Sequence, residues 1–157
     1  MPDFPIDFRS QDYKTEHGQI LRPKRGYVLC QFPGVPFLCD AFFDSAAPFS
    51  IIPYTLSKHL AWTPVAAQLT KVGKTAASAL TWQGIPCELG AIVFRLIHLS
   101  TGLQSGMLRM LAKLPKRATI SALEHTVILG LSVVEENPIR FVIDSSTGAL
   151  SGYFSVP

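Results

Sequence analysis

Charged residues are scarce in this 157-residue sequence: Asp, Glu, Lys and Arg make up 16% of it, against 48% apolar residues. Soluble domains usually contain about 25% charged residues. The shortage leaves apolar surface that must be covered, and we expect a subunit interface to cover part of it. The net charge is only +3, and the basic segments 22–25 and 113–117 lack interleaved aromatic residues, so no nucleic-acid binding is predicted.

Long apolar runs and paired cysteines are missing as well. No run reaches the roughly 18 residues that a membrane-spanning helix needs, so no membrane association is predicted. The first residues are mixed and acidic, unlike a secretory signal or a transit peptide. Cys30, Cys39 and Cys87 form no CxxC pair and have no His at ligand spacing, which disfavours zinc. Reduced, buried thiols and a cytoplasmic location are expected.

Several catalytic motifs are also absent. The sequence has no GxSxG, no HExxH, no GxxxxGK[ST] and no GxGxxG after a strand. The four histidines are scattered singly, and His98, at the end of an apolar strand, is interpreted as a structural residue. Cys87, in GIPCELG, is interpreted as a half-buried strand thiol rather than a nucleophile. These absences exclude the commonest hydrolase, nucleotide-binding and metalloprotease signatures.

Short β-type runs separated by Gly and Pro dominate what is present. The predicted strands are residues 27–32, 36–43, 50–53, 91–99, 126–131, 139–144 and 149–156, with 107–114 as a strand or a short helix. Helical spacing is found in 54–62, and a second short helix over 132–138 has Ser132 as its predicted cap. We therefore predict an irregular arm over residues 1–20 and one mainly β domain over 21–157, with one or two short helices.

Asp44 is the residue that most needs an explanation. The segment FFDSAAPFSIIPYTL (residues 42–56) places this acid at the end of an apolar run and follows it with small residues. Asp and Ser both hydrogen-bond to local backbone where strands reverse, so a turn is the simplest interpretation. Two other acids have plain interpretations: Asp40 as a solvated edge residue, and Asp144, in VIDSSTG, as the start of a hairpin turn.

The order of these segments resembles the retropepsins, the single-lobed retroviral-type aspartic proteases, and their bacterial relatives. A hairpin leads into AFFDSAA, which is similar to the Asp-Ser/Thr-Gly-Ala of that family, and PFSIIPYTL follows it. VILGL before a short helix resembles the Ile-Leu-Gly segment that closes the second loop of the fold. The resemblance covers about residues 26–154 and implies a single-lobed retropepsin-like acid-protease β-barrel.

The resemblance also implies a function and a partner. The chain would be a homodimeric aspartic endopeptidase in which two Asp44 carboxylates, one from each subunit, activate water against a peptide or protein substrate. Such chemistry shares one proton between two acids, and the single candidate loop means that the second acid comes from a second subunit. Because it needs only water and two carboxylates, no metal and no organic cofactor is implied.

Further site residues follow from the same resemblance. Ser45 would brace the two loops across the dimer axis, and Ala46, Ala47 and Gly130 would complete the active-site loops. A flap is expected within residues 71–84, with Gly73 and Gly84 as candidate hinges.

One position departs from the family pattern, because Ala46 stands where the family has Gly. A left-handed backbone there would cost Ala about 1–2 kcal/mol, whereas a negative φ would leave only methyl crowding. Two alternatives to a protease therefore stay open. One is a catalytically inactive domain of the same fold that dimerises or binds peptides, and the other is a β-barrel subunit in which Asp44 only forms a turn.

Overall fold

The structure of the chain is a computed structural model that describes residues 2–65, 80–120 and 122–157. Over these residues it is mainly β, with two short α-helices, as predicted. The strands are β1 (Asp3–Pro5), β2 (Asp7–Ser10), β3 (Tyr13–Lys14), β4 (Ile20–Leu21), β5 (Lys24–Gln31), β6 (Cys39–Phe43), β7 (Ser50–Ile51), β8 (Thr63–Pro64), β9 (Thr81–Trp82), β10 (Ile85–His98), β11 (Leu103–Gln104), β12 (Leu108–Pro115), β13 (Val127–Leu129), β14 (Arg140–Asp144) and β15 (Ser151–Ser155). The helices are α1 (Tyr54–Ser57), a 3₁₀ helix (Ala122–His125) and α2 (Ser132–Glu136).

The main sheet closes on itself. Its hydrogen-bonded path runs β10-β12-β7-β13-β6-β5, and β10 also pairs with β5, which completes a ring. The long strand β10 makes this closure possible, because one end pairs with β12 and the other reaches Leu29 to Gln31 of β5. Alternate residues of β12 are buried, namely Leu108, Met110, Ala112 and Leu114, so one face of this strand supplies the core.

Two parallel strands determine where the Asp44 segment lies. β6 pairs in parallel with β13, with Phe42 opposite Ile128 and Phe43 opposite Leu129. Parallel strands point the same way, so the residues that follow β6 and the residues that follow β13 emerge at the same edge. β7 then pairs with both β12 and β13. As a result, the segment that follows Phe43 lies directly beside the segment that follows Leu129.

A second, three-stranded sheet packs against the ring. Its order is β1-β15-β14, and Phe4 of β1 lies opposite Phe154 of β15, both about 1% exposed. Phe43, at the end of β6, contacts this sheet through its ring, with ring centroids 4.2 Å from Phe141 and 5.7 Å from Phe154. The small sheet therefore supports the end of the strand that carries Asp44.

The predicted irregular N-terminal arm is wrong. Residues 3–5 and 7–10 form β1 and β2, which pair with β15 and β5, and β3 and β4 form a small hairpin. These strands are too short to show a periodic pattern in the sequence, and the partners of β1 and β2 come from later parts of the chain. The predicted hairpin of 27–32 with 36–43 is confirmed as β5 and β6, with Gly34 at φ +80° in the turn.

Two details of the predicted helices are also corrected. α1 ends at Ser57, well short of residue 62, because Thr63 and Pro64 pair with β10 instead. Ser132 is not a cap, since the residue before α2 is Leu131 and the Ser132 hydroxyl donates to the Leu111 carbonyl at 2.9 Å. The segment 107–114, predicted as either a strand or a short helix, corresponds to the strand β12. Among the described residues, no helix has both the length and the apolar character needed to cross a bilayer.

Candidate functional site

Asp44 begins a tightly hydrogen-bonded loop, residues 44–49, which we call the Asp44 loop. Its backbone N–H donates to the Leu129 carbonyl at 2.9 Å, which continues the pairing of β6 with β13 by one residue. Its Oδ1 accepts the Ala46 N–H at 2.9 Å, and its carbonyl accepts the Ala47 N–H at 3.1 Å. Within the part of the chain that the structure describes, Oδ2 has no hydrogen-bond partner. One carboxylate oxygen fixes the turn, and the other is left available.

Gly130 lies where the two chain segments cross. A Cβ at this position would lie 2.5 Å from the carbonyl carbon and oxygen of Phe49 and 2.6 Å from the Ala47 carbonyl oxygen. The contact is with backbone, which cannot rotate away as a side chain can, so only glycine fits there. The Gly130 N–H donates to the Ser50 hydroxyl at 3.1 Å, and the Leu131 N–H donates to the Ala47 carbonyl at 2.8 Å. Gly130 and Ala47, both predicted as loop residues, therefore lie together with Asp44.

Ala46 is not strained by its backbone. Among the described non-glycine residues only Gln83 has a positive φ, so Ala46 lies outside the left-handed region and its methyl group is exposed. The backbone cost of a left-handed alanine at this position therefore does not arise. Ser45 is exposed too, and its hydroxyl has no hydrogen-bond partner within the described chain. Both side chains face outward from the loop rather than into the core.

A cleft of about 660 Å³ opens beside the loop, and we call it the Asp44 cleft. Its wall is largely apolar, with two cations, and among its described residues Asp44 is the only acid. It is lined by Phe8, Lys24, Arg25, Gly26, Phe42, Phe43, Asp44, Ala46, Ala47, Ile51, Trp82, Leu123, Ile128, Ile143 and Leu150. Ile143 and Leu150 are partly exposed there, although both are large and apolar. An open apolar cleft with one carboxylate on its wall is suited to binding an extended peptide.

Arg25 is the best-positioned cation of this cleft. Its guanidinium lies over the Phe42 ring at 4.8 Å from the centroid, and its Nη2 donates to the Tyr13 hydroxyl at 3.2 Å. Phe42 also meets Tyr27 edge to face, with centroids 5.7 Å apart. Sequence reasoning missed Arg25 as a site residue, since its only signal was membership of a weakly basic segment. No sequence motif indicated that Trp82, Leu123 and Ile143 line the cleft, because they reach it from distant parts of the chain.

The predicted flap is only partly described. Gly73 and most of residues 71–84 lie outside the described residues. Gly84 has φ +74° and Gln83 has φ +50°, and together they form the two-residue turn that joins β9 to β10. Positive φ at both central residues is characteristic of a type I′ hairpin turn. Gly84 therefore forms the turn of a tight hairpin, and its role as a hinge stays a prediction.

Asp40 and Asp144, the two acids that were not predicted as catalytic, have structural partners. Asp40 receives the Arg9 guanidinium at 3.1 and 3.2 Å on its two oxygens. Asp144 accepts the Ser146 N–H at 2.7 Å, which confirms its turn role, and this backbone hydrogen bond lowers the pKa of the Asp144 carboxyl. Among the described residues, no group of three or more His, Cys, Asp and Glu side chains could hold a metal ion.

The histidine and cysteine interpretations also agree with the contacts. Both His98 ring nitrogens have partners, Thr101 Oγ1 at 2.7 Å and Ser100 Oγ at 3.1 Å. Cys30, Cys39 and Cys87 are free and buried. Burial raises the pKa of all three thiols, that of Cys39 to about 11, which keeps them neutral and unreactive.

A scan of protein-family models, a search of curated proteins and a search of solved structures each found no match to this chain.

Proposed function

We propose that this chain is one subunit of a homodimeric aspartic endopeptidase with a retropepsin-like fold. The observation that carries the proposal is the junction of β6 and β13, where a hydrogen-bonded Asp-Ser loop crosses a glycine at backbone contact and opens onto a peptide-sized cleft. A turn-forming aspartate would need neither the tight crossing at Gly130 nor the cleft. The closed ring of strands around this junction supports the same interpretation.

The chemistry requires a second carboxylate. A water molecule is activated when one carboxylate takes its proton while a protonated partner donates to the scissile carbonyl. Asp44 is the only acid among the described lining residues, so the partner acid is assigned to a second copy of the chain. A two-fold axis places each Asp44 beside its equivalent. Asp44 Oδ1 accepts the Ala46 N–H, and this hydrogen bond holds the carboxylate in a fixed orientation. Oδ2 is then left to contact water or the Asp44 of the second subunit.

The surface near Asp44 is suited to this pairing. Ser45, Ala46 and Pro48 are exposed on the loop, and Leu131 is 39% exposed beside it although it is apolar. Small side chains allow two loops to approach closely, and an exposed leucine favours burial against a partner. In the dimer the free Ser45 hydroxyl would donate to backbone of the opposing loop.

A non-catalytic peptide-binding or dimerisation domain is the second candidate. The observation that favours it is Ala46, whose exposed methyl group would project toward the opposing loop in the proposed dimer. An offset of about 1 Å between the two carboxylates can lower the rate roughly a hundredfold. The fold and the cleft would then be retained without the chemistry.

The test is cleavage of a mixed peptide library between about pH 4 and 7, the range in which a shared-proton carboxylate pair is active. Wild type is compared with Asp44→Asn, and Asp144→Asn is the matched control because it changes the other Asp-Ser turn. All three proteins are assayed at concentrations where sedimentation shows dimers. We expect cleavage by wild type and by Asp144→Asn, and a loss of at least about a hundredfold in Asp44→Asn.

Two results would contradict the peptidase. If all three proteins are folded and dimeric but none cleaves, the non-catalytic domain is the better description. If Asp44→Asn cleaves as fast as wild type, the activity does not come from this site. A chain that stays monomeric at every concentration would remove the second carboxylate and with it the mechanism.

A further inference from the structure

The Asp44 cleft carries positive charge that the proposed chemistry does not use. Lys24 and Arg25, at the start of β5, line the same cleft as Asp44. Water activation by two carboxylates needs no cation, so the exposed Lys24 and the partly buried Arg25 have no role in that chemistry. These two residues are therefore candidates for recognition of the ligand.

Arg25 has no carboxylate partner among the described residues, as is also true of Arg95, Arg117 and Arg140, but of these four arginines it is the one that lines the Asp44 cleft. Arg9 pairs with Asp7 and Asp40, Arg22 pairs with Asp12, and Arg109 pairs with Glu136, all within 3.5 Å. Among the described residues, no carboxylate oxygen lies within 4.0 Å of Arg25 or of Lys24.

The Arg25 guanidinium is nevertheless held in place. Phe42 supports one face of it at 4.8 Å, and the Tyr13 hydroxyl accepts one of its N–H groups at 3.2 Å. A guanidinium has five N–H donors in a planar fork, and several of those of Arg25 have no partner among the described residues. A side chain that is oriented in advance loses little entropy when it binds, and a planar fork matches the two oxygens of a carboxylate.

We propose that Arg25, assisted by Lys24, is a carboxylate-binding subsite of the Asp44 cleft, so that the preferred ligand is an extended peptide in which an acidic side chain accompanies apolar ones. The apolar wall formed by Phe42, Trp82 and Ile128 takes the apolar side chains, and the two cations take the carboxylate. This inference rests on the proposed function, because it names the substrate class of that same cleft.

The test measures binding rather than cleavage. Extended fluorescent peptides with a central Phe–Ile pair carry one glutamate at successive flanking positions, and each has a twin with glutamine at that position. Affinities for full-length Asp44→Asn are measured by anisotropy, with wild type measured in parallel. We expect the best glutamate peptide to bind about three- to tenfold more tightly than its glutamine twin, as an ion pair in a partly enclosed site allows. The preference should shrink as salt is raised.

Substitutions in the same background locate the preference. Arg25→Gln should remove most of it, Arg25→Lys should retain part, and Lys24→Gln, at an exposed position, should reduce it without disturbing the fold. Lys14→Gln is the matched control, because it removes one positive charge from β3 outside the cleft and should leave the preference unchanged.

The subsite is overturned if the twins bind equally, if neither peptide binds, or if the preference survives loss of both cations. These binding results test the subsite independently of the proposed peptidase activity. A glutamate preference in a wild-type protein that cleaves no peptide would leave the subsite standing in a binding domain. Cleavage without any glutamate preference would leave the peptidase standing without the subsite.

Discussion

The chain contains two Asp-Ser pairs at strand ends, and in both the aspartate makes the same side-chain-to-backbone hydrogen bond. Oδ1 of Asp44 accepts the Ala46 N–H at 2.9 Å, and Oδ1 of Asp144 accepts the Ser146 N–H at 2.7 Å. The shared geometry follows from residue type alone, because Asp readily bonds to the backbone two residues ahead. A hydrogen-bonded aspartate at a strand end is therefore no evidence of function by itself.

The two turns differ in what surrounds them. The Asp44 N–H is bound to the Leu129 carbonyl, and the loop is pressed against Gly130 beside a cleft. The Asp144 turn joins two neighbouring antiparallel strands and is exposed, and a Cβ at its Gly148 would meet nothing within 4 Å. The comparison shows that tertiary contacts, rather than the local motif, single out Asp44.

The sharpest way to test this difference is to alter the glycine that contacts the Asp44 loop, Gly130, and the glycine within the Asp144 turn, Gly148. Gly130→Ala forces a methyl group onto the Phe49 backbone and should cost about 3 kcal/mol of unfolding free energy. Gly148→Ala meets no atoms but must adopt φ +81°, which should cost about 1–2 kcal/mol. Urea denaturation measures both. Equal costs would mean that the crossing at Gly130 is looser than the distances indicate.

Removing each carboxylate should have a smaller effect on stability. Asp44→Ala and Asp144→Ala each lose one hydrogen bond to a turn N–H. Asp44→Ala should lower the unfolding free energy by about 1 kcal/mol, and Asp144→Ala, at an exposed position, should lower it by less. The Asn variants keep an acceptor oxygen and should stay near wild type. If Asp44→Asn were as destabilising as Asp44→Ala, the negative charge rather than the hydrogen bond would be stabilising the Asp44 loop.

The third position of each turn offers a finer comparison. Ala46 and Ser146 occupy equivalent places, and neither has a positive φ. Ala46→Gly should therefore destabilise the protein by about 0.5 kcal/mol, because glycine gains freedom in the unfolded chain. Ser146→Gly is the control and should behave alike in thermal unfolding. A stabilising Ala46→Gly would show that the alanine is strained, and it would strengthen the inactive-domain interpretation.

The smallest expected effect concerns pH and the Asp144 turn. The backbone hydrogen bond from Ser146 lowers the pKa of Asp144 in the folded chain, so its stabilising contribution is present above about pH 4, the ordinary pKa of an unfolded aspartate. That contribution is lost as the pH falls through the lower, folded pKa. The difference in unfolding free energy between wild type and Asp144→Ala should therefore shrink on acidification. A difference that does not change with pH would contradict a lowered pKa of Asp144 in the folded chain.

Much of the fold could be predicted because its central strands are regular. The runs at 91–99, 126–131 and 139–144 show the apolar patterns of strands, and strands are found there. The N-terminal strands could not be predicted, since β1 depends on β15 for its hydrogen bonds and has only three residues. α1 was predicted too long because its helical spacing could not reveal that Thr63 pairs with β10.

The loop residues of the candidate site could be predicted from the sequence, whereas the other residues of the cleft wall could not. Asp44, Ala47 and Gly130 were proposed together through a resemblance to a family motif, and the parallel pairing of β6 with β13 does bring them together. Arg25 and Trp82 could not be placed near them, because nothing in a sequence states which distant strands will share a cleft wall. Catalysis by Asp44 stays a prediction until cleavage is measured.

The pairing of β1 with β15 has a consequence for the order of folding. Asp3 lies opposite Ser155, so that contact closes a loop of nearly the whole chain, whereas β5 and β6 meet across a short turn. Contacts between remote segments carry a large loop-closure entropy and form late. Phe43 rests on Phe141 and Phe154 of that late sheet. We therefore expect the strand that carries Asp44 to gain its final support among the last events of folding, so that a partly folded chain lacks a finished site.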